Sequence, residues 1–250
     1  METKKIVVVG GGAAGFFCAI QVAELHPHWE IIILEKTNKL LSKVKVSGGG
    51  RCNVTHACHN VELLLKKYPR GERFLKKAFY QFATKNTIEW FKTNGVELHT
   101  EKDGRMFPTT NSSDTIIDCF LRKVHQYKIQ ILIQHEVVDI QHNNSSANIE
   151  QENKNKESKK QKAFTIQLQG REALHADAIC LATGGMLKSD PSIKLKPEHS
   201  PNSYPMFAST CIPTHIPSTG VLFLSTASSN ASLSPDSFNC DIALSNDPTP

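Results

Sequence analysis

Short β-branched runs alternate with longer apolar stretches of helical spacing in the first part of the chain. Lys5–Val9 (KIVVV) and Glu30–Leu34 (EIIIL) are continuous apolar runs, which are typical of strands buried on both faces of a parallel sheet. The segment between them predicts a helix that ends at about Leu25, before His26-Pro27. The order strand, helix, strand predicts a βαβ unit.

The same patterns continue along the chain and add helices, a hairpin and further strands. The predicted helices are Phe74–Ala83, Lys85–Asn94 (ended by Gly95) and Asp114–His125 (introduced by Ser112-Ser113). The predicted strands are Ile129–Ile133, Glu136–Gln141, Ala163–Gln169 and Ala178–Ala182. Val96–Pro108 is a hairpin candidate that turns at Asp103-Gly104. We therefore predict an α/β fold: a Rossmann-like domain with a parallel sheet and an antiparallel β-meander.

The first glycine cluster has the G-x-G-x-x-G spacing and lies between the first strand and the first helix. Gly10 permits a tight turn, Gly12 lets a pyrophosphate approach the helix N-terminus, and Gly15 lets helix and strand pack closely. Glu35 ends the second strand, twenty residues beyond Gly15, and predicts an acceptor for ribose hydroxyls, as in FAD or NAD. The predicted cofactor-binding residues of this part are Gly10, Gly12, Ala13, Ala14, Gly15, Glu35 and Lys36. The alternative is a chance glycine-rich turn.

The second glycine cluster, Val46–Asn53, reads VSGGGRCN. An extended backbone without Cβ atoms suits a bulky ring system beside it, and this favours a flavin. The predicted cofactor-binding residues here are Lys43, Gly49, Gly50, Arg51, Cys52 and Asn53. Arg51 is interpreted either as a cation facing a phosphate or the flavin, or as half of a surface salt bridge.

Five sequence segments together resemble the aminoacetone oxidase, or BaiN-like, family of FAD-dependent oxidoreductases. They are VVVGGGAAG (Val7–Gly15), SGGGRCNVT (Ser47–Thr55), GVEL followed by DGRMFP (Gly95–Leu98 and Asp103–Pro108), SSDTIIDCF (Ser112–Phe120) and ADAICLATGG (Ala176–Gly185). They occur in the family's order and cover about residues 4 to 185.

The resemblance implies a glutathione-reductase-like FAD-binding domain and hydride transfer between the flavin and an unidentified small-molecule substrate. It places Gly48–Asn53 near the flavin end of the cofactor. It also implies that Val137 or Val138 offers backbone groups to the adenine, and that Thr183, Gly184 and Gly185 close over the cofactor. Lys43 matches a lysine of the family, whereas Leu41-Ser42 and His56 depart from its pattern. No catalytic residue is assigned.

The predicted domain organisation is an FAD-binding domain over residues 1–185 followed by a less ordered remainder. Residues 143–162 form a polar insertion that we expect to be disordered, and 186–250 resemble a degenerate start of a substrate domain with a disordered tail. The expected consequence is a chain that lacks the last FAD-binding segment and alone binds FAD weakly or not at all. Because no second GxGxxG exists, the flavin is reoxidised by oxygen or reduced by NAD(P)H that binds transiently.

Three functional interpretations remain open at this point. The chain is the N-terminal FAD-binding part of an oxidoreductase, a truncated and non-catalytic nucleotide-binding module, or an RNA-directed, uridine-reducing flavoenzyme. The net charge of +5 fits a solvated insertion as well as a nucleic-acid contact. A nucleic-acid partner is not favoured, because the sequence contains no aromatic–basic RNA motif.

The cysteines bear on compartment and chemistry. Seven cysteines without a CxxC pair indicate a reduced, cytoplasmic protein, and no apolar stretch reaches the roughly 18 residues of a membrane span. Cys52 and Cys58 allow a redox pair at the flavin, but a cysteine packed near the cofactor is the favoured interpretation. Together with His56 and His59 they match no common zinc spacing, so no metal site is predicted.

Overall fold

The computed structural model describes residues 3–68, 71–143, 162–184 and 221–223. Its helices are α1 (Ala13–Leu25), α2 (Ser42–Gly50), α3 (Val61–Leu65), α4 (Glu72–Gln81), α5 (Thr84–Thr93) and α6 (Ser113–Gln126). Its strands are β1 (Lys5–Val9), β2 (Glu30–Glu35), β3 (Thr55–His56), β4 (Leu98–Thr100), β5 (Arg105–Pro108), β6 (Gln130–Ile133), β7 (Val137–His142), β8 (Phe164–Leu168), β9 (Leu174–Ala176), β10 (Ala178–Leu181) and β11 (Val221–Phe223).

A parallel sheet forms the centre of the described structure. Its strand order is β11-β10-β1-β2-β6, and every neighbouring pair is parallel. In the register of the sheet, Val8 of β1 lies between Ile33 of β2 and Cys180 of β10. The carboxyl ends of β1, β2 and β10 therefore meet at one edge, where cofactor crevices of open α/β sheets lie.

The two faces of the sheet are covered by different layers. Ile6 and Val8 point into a core that includes buried residues of α1 and α6, whereas Val7 and Val9 pack on the opposite face. That opposite face is covered by β8 and β9 of an antiparallel sheet ordered β7-β8-β9. This arrangement confirms the predicted Rossmann-like α/β fold with an antiparallel meander. Because β1 is covered on both faces, Ile6, Val7, Val8 and Val9 are all apolar.

The described structure confirms most predicted elements and adds some that the sequence did not reveal. Each of the three later helices and the four later strands lies within two residues of its predicted bounds. The hairpin is formed by β4 and β5, with Gly104 at φ +85° in its turn. The elements that were not predicted are α2, α3, β3, β9 and β11.

Part of the chain beyond the predicted domain boundary belongs to the same sheet. β11 pairs in parallel with β10, with Ile179 opposite Val221. The parallel sheet therefore includes residues beyond position 185. The domain boundary at residue 185 stays a prediction. Most of the predicted polar insertion and the rest of 186–250 lie outside the described residues.

The buried cysteines and the helix lengths can also be compared with expectation. Cys18, Cys119 and Cys180 are buried in α1, α6 and β10. None of the helices in the described ranges is long and apolar enough to cross a bilayer.

Candidate functional site

The turn between β1 and α1 depends on two glycines. Gly10 has φ +118°, and a Cβ atom there would lie 2.3 Å from the carbonyl oxygen of Ala182. A Cβ atom at Gly15 would lie 1.9 Å from the carbonyl oxygen of Gly10. Both distances are far inside van der Waals contact, so the tight turn and the close approach of α1 require residues without a side chain. The packing roles predicted for Gly10 and Gly15 agree with this geometry.

The N-terminus of α1 is open. Gly12 is the N-cap residue, no side chain caps the helix, and its first turn contains no acidic residue. A Cβ atom on Gly12 would meet no atom within 4 Å. The backbone N–H groups of Ala13, Ala14 and Gly15 have no acceptor among the described residues. Because such N–H groups and the helix dipole attract anions, this end of α1 fits a phosphate group.

The carboxylate of Glu35 lies beside this turn. Its Oε2 accepts a hydrogen bond from the Gly11 amide at 2.9 Å. Its Oε1 accepts from both the amide and the hydroxyl of Thr37, each at 2.9 Å. The acid at the end of β2 is therefore fixed next to the first glycine cluster, and a carboxylate retains acceptor capacity beyond these three bonds. The sequence did not indicate Gly11 and Thr37 as partners of Glu35. Gly11 contributes only its backbone amide, and Thr37 contributes its amide and its hydroxyl.

The loop before β7 also reaches this end of the sheet. The amide of His135 donates to the Glu35 carbonyl at 2.9 Å, and the amide of Gln134 donates to the Thr37 carbonyl at 3.1 Å. Val137 pairs with Leu168, and the register shifts before Asp139, which leaves Val138 unpaired at a β-bulge. Gln134 and His135, which donate these bonds, lie two to four residues before the two valines predicted to contact adenine.

The end of β10 closes the other side of the first glycine cluster. The amide of Ala182 donates to the Val9 carbonyl at 2.8 Å. Thr183 is exposed and Gly184 has φ +77°, so the chain turns immediately beside Gly10. Gly185 lies outside the described residues.

α2 connects the two glycine clusters. The amide of Leu41, its N-cap residue, donates to the Gly11 carbonyl at 2.9 Å. The helical part of α2, residues 42–46, has an axial length of about 7 Å. The Ser113 hydroxyl at the start of α6 donates to the Lys45 carbonyl at 2.9 Å and fixes the helix from its other side. The two clusters are thus neighbours joined by one short helix.

The predicted extended backbone at the second glycine cluster is wrong. Residues 42–46 are helical, only Ser47 is extended, and Gly48, Gly49 and Gly50 follow with φ of 56°, 70° and 85°. Sequence reasoning took the run of glycines as a sign of an extended chain, but glycine equally permits consecutive left-handed residues. A Cβ atom at Gly48 would lie 2.8 Å from Cε1 of Phe107, whereas one at Gly49 would meet no atom within 4 Å.

Arg51 is held by its neighbours. Its Nη1 donates to Glu101 Oε1 at 2.6 Å, and its Nε donates to the Gly48 carbonyl at 3.3 Å. The guanidinium lies 4.1 Å from the ring centroid of Phe107. Arg105 donates to the second oxygen of Glu101 at 3.2 Å. Within the protein, Arg51 forms an ion pair with Glu101, as the second of its two interpretations stated. Its contacts with Glu101, Gly48 and Phe107 hold the loop that carries Gly48–Gly50.

Cys52 is fully buried and has a left-handed φ of 62°. Burial raises the pKa of its thiol to about 11, and a hydrogen bond with Ser47 opposes only part of that effect. Cys58 is a free cysteine whose thiol donates to the Asn60 carbonyl at 3.6 Å. Because a thiol with a raised pKa is a poor nucleophile, packing describes Cys52 better than a redox pair does. No group of three or more metal-ligating side chains occurs in the described ranges.

Two polar atoms near the second glycine cluster are buried without a partner. They are Oδ1 of Asn53 and Nδ1 of His56. The other ring nitrogen of His56 lies 3.1 Å from the Asp103 carbonyl, so the protein already holds that ring. A buried acceptor without a donor is uncommon in a folded protein. The Asn53 oxygen therefore fits a site that receives a donor from a ligand.

The two predicted lysines lie at the periphery. Lys36 follows Glu35, and Lys43 lies in the first turn of α2; both side chains are exposed. The structure thus gathers the glycine clusters, Glu35 and the Thr183 turn at one sheet edge, with both lysines on its surface.

Comparison with known proteins gives one family and several relatives. Residues 4–193 match the HI0933-like protein Rossmann domain. The ribosomal RNA dihydrouridine synthase of Escherichia coli (strain K12) is 24% identical over 186 residues, covering 74% of this chain and 40% of that protein. The 3-dehydro-bile acid delta(4,6)-reductase of Clostridium scindens is 24% identical over 127 residues, covering 51% of this chain and 30% of that protein. This chain therefore spans less than half the length of these curated relatives.

A solved structure shares the fold. The open conformation of a flavocytochrome c3 fumarate reductase has a TM-score of 0.53 and 19% identity, covering 74% of this chain and 34% of that one. The family match extends over well more than half of the 250 residues and over the strand, glycine turn and helix described above. The chain belongs to the HI0933-like Rossmann-domain family.

Proposed function

We propose that this Rossmann domain binds FAD and is the flavin-binding part of an oxidoreductase that transfers hydride between the flavin and a substrate. The observation that carries the proposal is the 2.9 Å hydrogen bond from the Gly11 amide to Glu35, which holds a ribose acceptor beside the open N-terminus of α1. A flavocytochrome with the same fold and the match to an HI0933-like Rossmann domain support it.

The adenosine half of the cofactor is assigned to the edge formed by β1, β2 and β7. Glu35 accepts from the ribose hydroxyls, and the N–H groups of Ala13 and Ala14 bind the pyrophosphate. Gly12 leaves room for the phosphate oxygens, because no protein atom lies within 4 Å of its Cβ position. The backbone of Val137 and Val138 faces the adenine, and the bulge leaves Val138 without a partner on β8.

The flavin half is assigned to the second glycine cluster and the turn after β10. Gly49 and Gly50 offer backbone without Cβ atoms, and the buried Asn53 oxygen accepts a hydrogen bond from the ring system. Arg51 keeps this loop in place through Glu101, and Thr183-Gly184 closes the site beside Gly10. When bound, FAD supplies the hydride chemistry, and the chain supplies orientation and a fixed electrostatic environment.

The electron donor and acceptor are small molecules that reach the flavin from solution. NAD(P)H serves as a transient reductant, or oxygen as the oxidant. Lys36 and Lys43 lie at the exposed rim of the site, where cations favour the approach of these anionic nucleotides. A reducing, cytoplasmic compartment is supported by the described cysteines, because four of the five are buried and none forms a disulfide within the described ranges.

The test compares FAD with ADP, which lacks the flavin, in a Gly49→Asn variant. Asn tolerates a left-handed backbone, and its side chain would enter the space beside Gly49 that no protein atom occupies. Gly170→Asn is the matched control, because Gly170 has φ +65° and an equally open Cβ position in the β8–β9 turn. Equilibrium titrations by calorimetry or flavin fluorescence measure the two affinities.

The proposal predicts that Gly49→Asn weakens FAD binding at least about tenfold, a loss of about 1.4 kcal/mol, and leaves ADP binding unchanged. Gly170→Asn should bind both ligands like the original protein. If the Gly49→Asn variant and the original protein bind FAD with equal affinity, the assignment of the flavin to the second glycine cluster is wrong.

A further inference from the structure

A group of four ion-paired side chains joins the second glycine cluster to the β4–β5 hairpin. Its members are Arg51, Glu101, Asp103 and Arg105. Arg51 directly follows Gly50, so its guanidinium belongs to the loop that the proposed function assigns to the flavin. The two cations and the two carboxylates give this group no net charge.

Glu101 connects the two cations of the group. Its Oε1 accepts from Arg51 Nη1 at 2.6 Å, and its Oε2 accepts from Arg105 Nη2 at 3.2 Å. Its backbone is fixed as well, because its amide donates to the Arg105 carbonyl at 2.8 Å and its carbonyl accepts from the Gly104 amide at 2.9 Å. The carboxylate is therefore held in place against Arg51.

The pair formed by Arg51 and Glu101 is partly shielded from solvent. Their side chains are 35% and 27% exposed, whereas the side chain of Asp103 is 53% exposed. The Arg51 guanidinium also lies 4.1 Å from the ring centroid of Phe107, which is fully buried. Because water and salt screen partly buried charges less than exposed ones, the charges of this pair act on a group that binds beside it.

Two features close to Arg51 in sequence indicate where the flavin ring system lies in the proposed site. Gly49, two residues earlier, has an open Cβ position, and Asn53, two residues later, has a buried oxygen without a donor. Reduction by two electrons and one proton adds a negative charge to the ring system, so a cation beside it stabilises the reduced form. An Arg51 that is paired with Glu101 supplies less of this stabilisation than an unpaired Arg51.

We propose that Glu101 compensates the charge of Arg51 and thereby lowers the reduction potential of FAD bound at the second glycine cluster. The inference rests on the proposed function and deepens it, because it names a residue outside both glycine clusters that determines how strongly the bound flavin holds electrons. Glu101 is a positioning residue, since it acts on the flavin through Arg51.

The experiment measures the affinities for oxidised FAD and for dithionite-reduced FAD under anaerobic conditions. It compares the original protein with Glu101→Gln, Arg51→Gln and the double variant. The amide oxygen of Gln can still accept a hydrogen bond from Arg51, so Glu101→Gln removes the charge and retains a contact. Asp103→Asn is the matched control, because it removes one negative charge from the same turn while Glu101 still pairs with both arginines.

The proposal predicts shifts of opposite sign in the two single variants. Glu101→Gln should raise the affinity for reduced FAD relative to oxidised FAD at least about fivefold, which equals a rise in potential of about 20 mV. Arg51→Gln should lower this ratio, because it leaves the Glu101 carboxylate uncompensated. The double variant lacks both charges and should return to within about twofold of the original ratio, and Asp103→Asn should stay within about the same range.

Urea unfolding of the same variants without FAD tests the ion pair itself. The double variant should lose less stability than the sum of the two single variants, because each single variant leaves one charge without its counter-ion. Additive losses would show that Arg51 and Glu101 do not act as a pair, and they would overturn the proposed compensation.

The remaining outcomes separate this inference from the proposed function. An unchanged affinity ratio in a Glu101→Gln variant that binds FAD would overturn the inference and leave the proposed function intact. Shifts of the same sign in both single variants would also overturn it, because they would assign the effect to the shape of the loop and not to charge. Binding of ADP without any binding of FAD would contradict the flavin half of the proposed function, and the role of Glu101 with it.

Discussion

The thiol of Cys52 is fully buried, and this lowers the stability of the folded protein at alkaline pH. Burial raises its pKa from an ordinary 9.0 to about 11. Between these values the unfolded chain loses the thiol proton and the folded chain keeps it, so stability falls as the pH rises. We expect a loss of about 1 kcal/mol on going from pH 8 to pH 10, measured by urea unfolding.

Cys52→Ala tests the assignment of this effect. The variant has no thiol at this position, so its stability should fall less between pH 8 and pH 10 than that of the original protein, whatever its absolute value. Cys119→Ala serves as the comparison, because Cys119 is also buried and its pKa is also raised. An identical pH dependence in Cys52→Ala and the original protein would show that Cys52 does not carry the alkaline loss.

Single residues also mark the limit of sequence reasoning at the site. The glycine spacing and the acid at Glu35 predict which residues gather at the end of the sheet. The spacing does not reveal that Arg51 is held by Glu101 or that Asn53 has an unpartnered buried oxygen. Glu101 lies in the turn of the β4–β5 hairpin, about fifty residues after Arg51, so the glycine spacing carries no information about this contact.

At the scale of elements, the close packing of α1 against β1 predicts opposite outcomes for two glycines of one motif. Gly15→Ala places a methyl group 1.9 Å from the Gly10 carbonyl oxygen, so α1 must move away from the turn. We expect a loss of at least about 2 kcal/mol in unfolding free energy. Gly12→Ala meets no atom within 4 Å and should change stability by less than about 1 kcal/mol.

Urea unfolding of the two variants measures this difference directly. Equal stability of Gly15→Ala and Gly12→Ala would contradict the packing described for α1. The comparison also distinguishes the two glycines by role. Gly15 is needed for the packing of the protein itself, whereas Gly12 leaves space that only a ligand would use.

Elements were predictable where the apolar pattern had one clear period. β1, β2 and α6 are examples, since continuous or helical apolar spacing leaves little choice of structure. α2 was missed because its sequence, SKVKVSGGG, buries only Val44 and ends in three glycines. Contacts with Gly11 and Ser113, rather than its own pattern, hold this helix in place.

At the scale of the molecule, the fold class followed from the order of strands and helices, but the full sheet did not. β11 pairs with β10 although the chain between residues 185 and 220 offers no pattern that predicts it.

The central claim is that the open N-terminus of α1 and the adjoining glycine clusters bind FAD. Its most direct test is an FAD titration of the original protein, Gly12→Ala and Gly71→Ala, with all three shown to be folded. Gly71 is the matched control because it is the N-cap residue of α4, away from the proposed FAD site.

A methyl group at position 12 would occupy the space assigned to the pyrophosphate. The account predicts saturable FAD binding by the original protein, the same affinity in Gly71→Ala, and an affinity at least about tenfold lower in Gly12→Ala. Saturable FAD binding by the original protein with an unchanged affinity in a folded Gly12→Ala variant would contradict it.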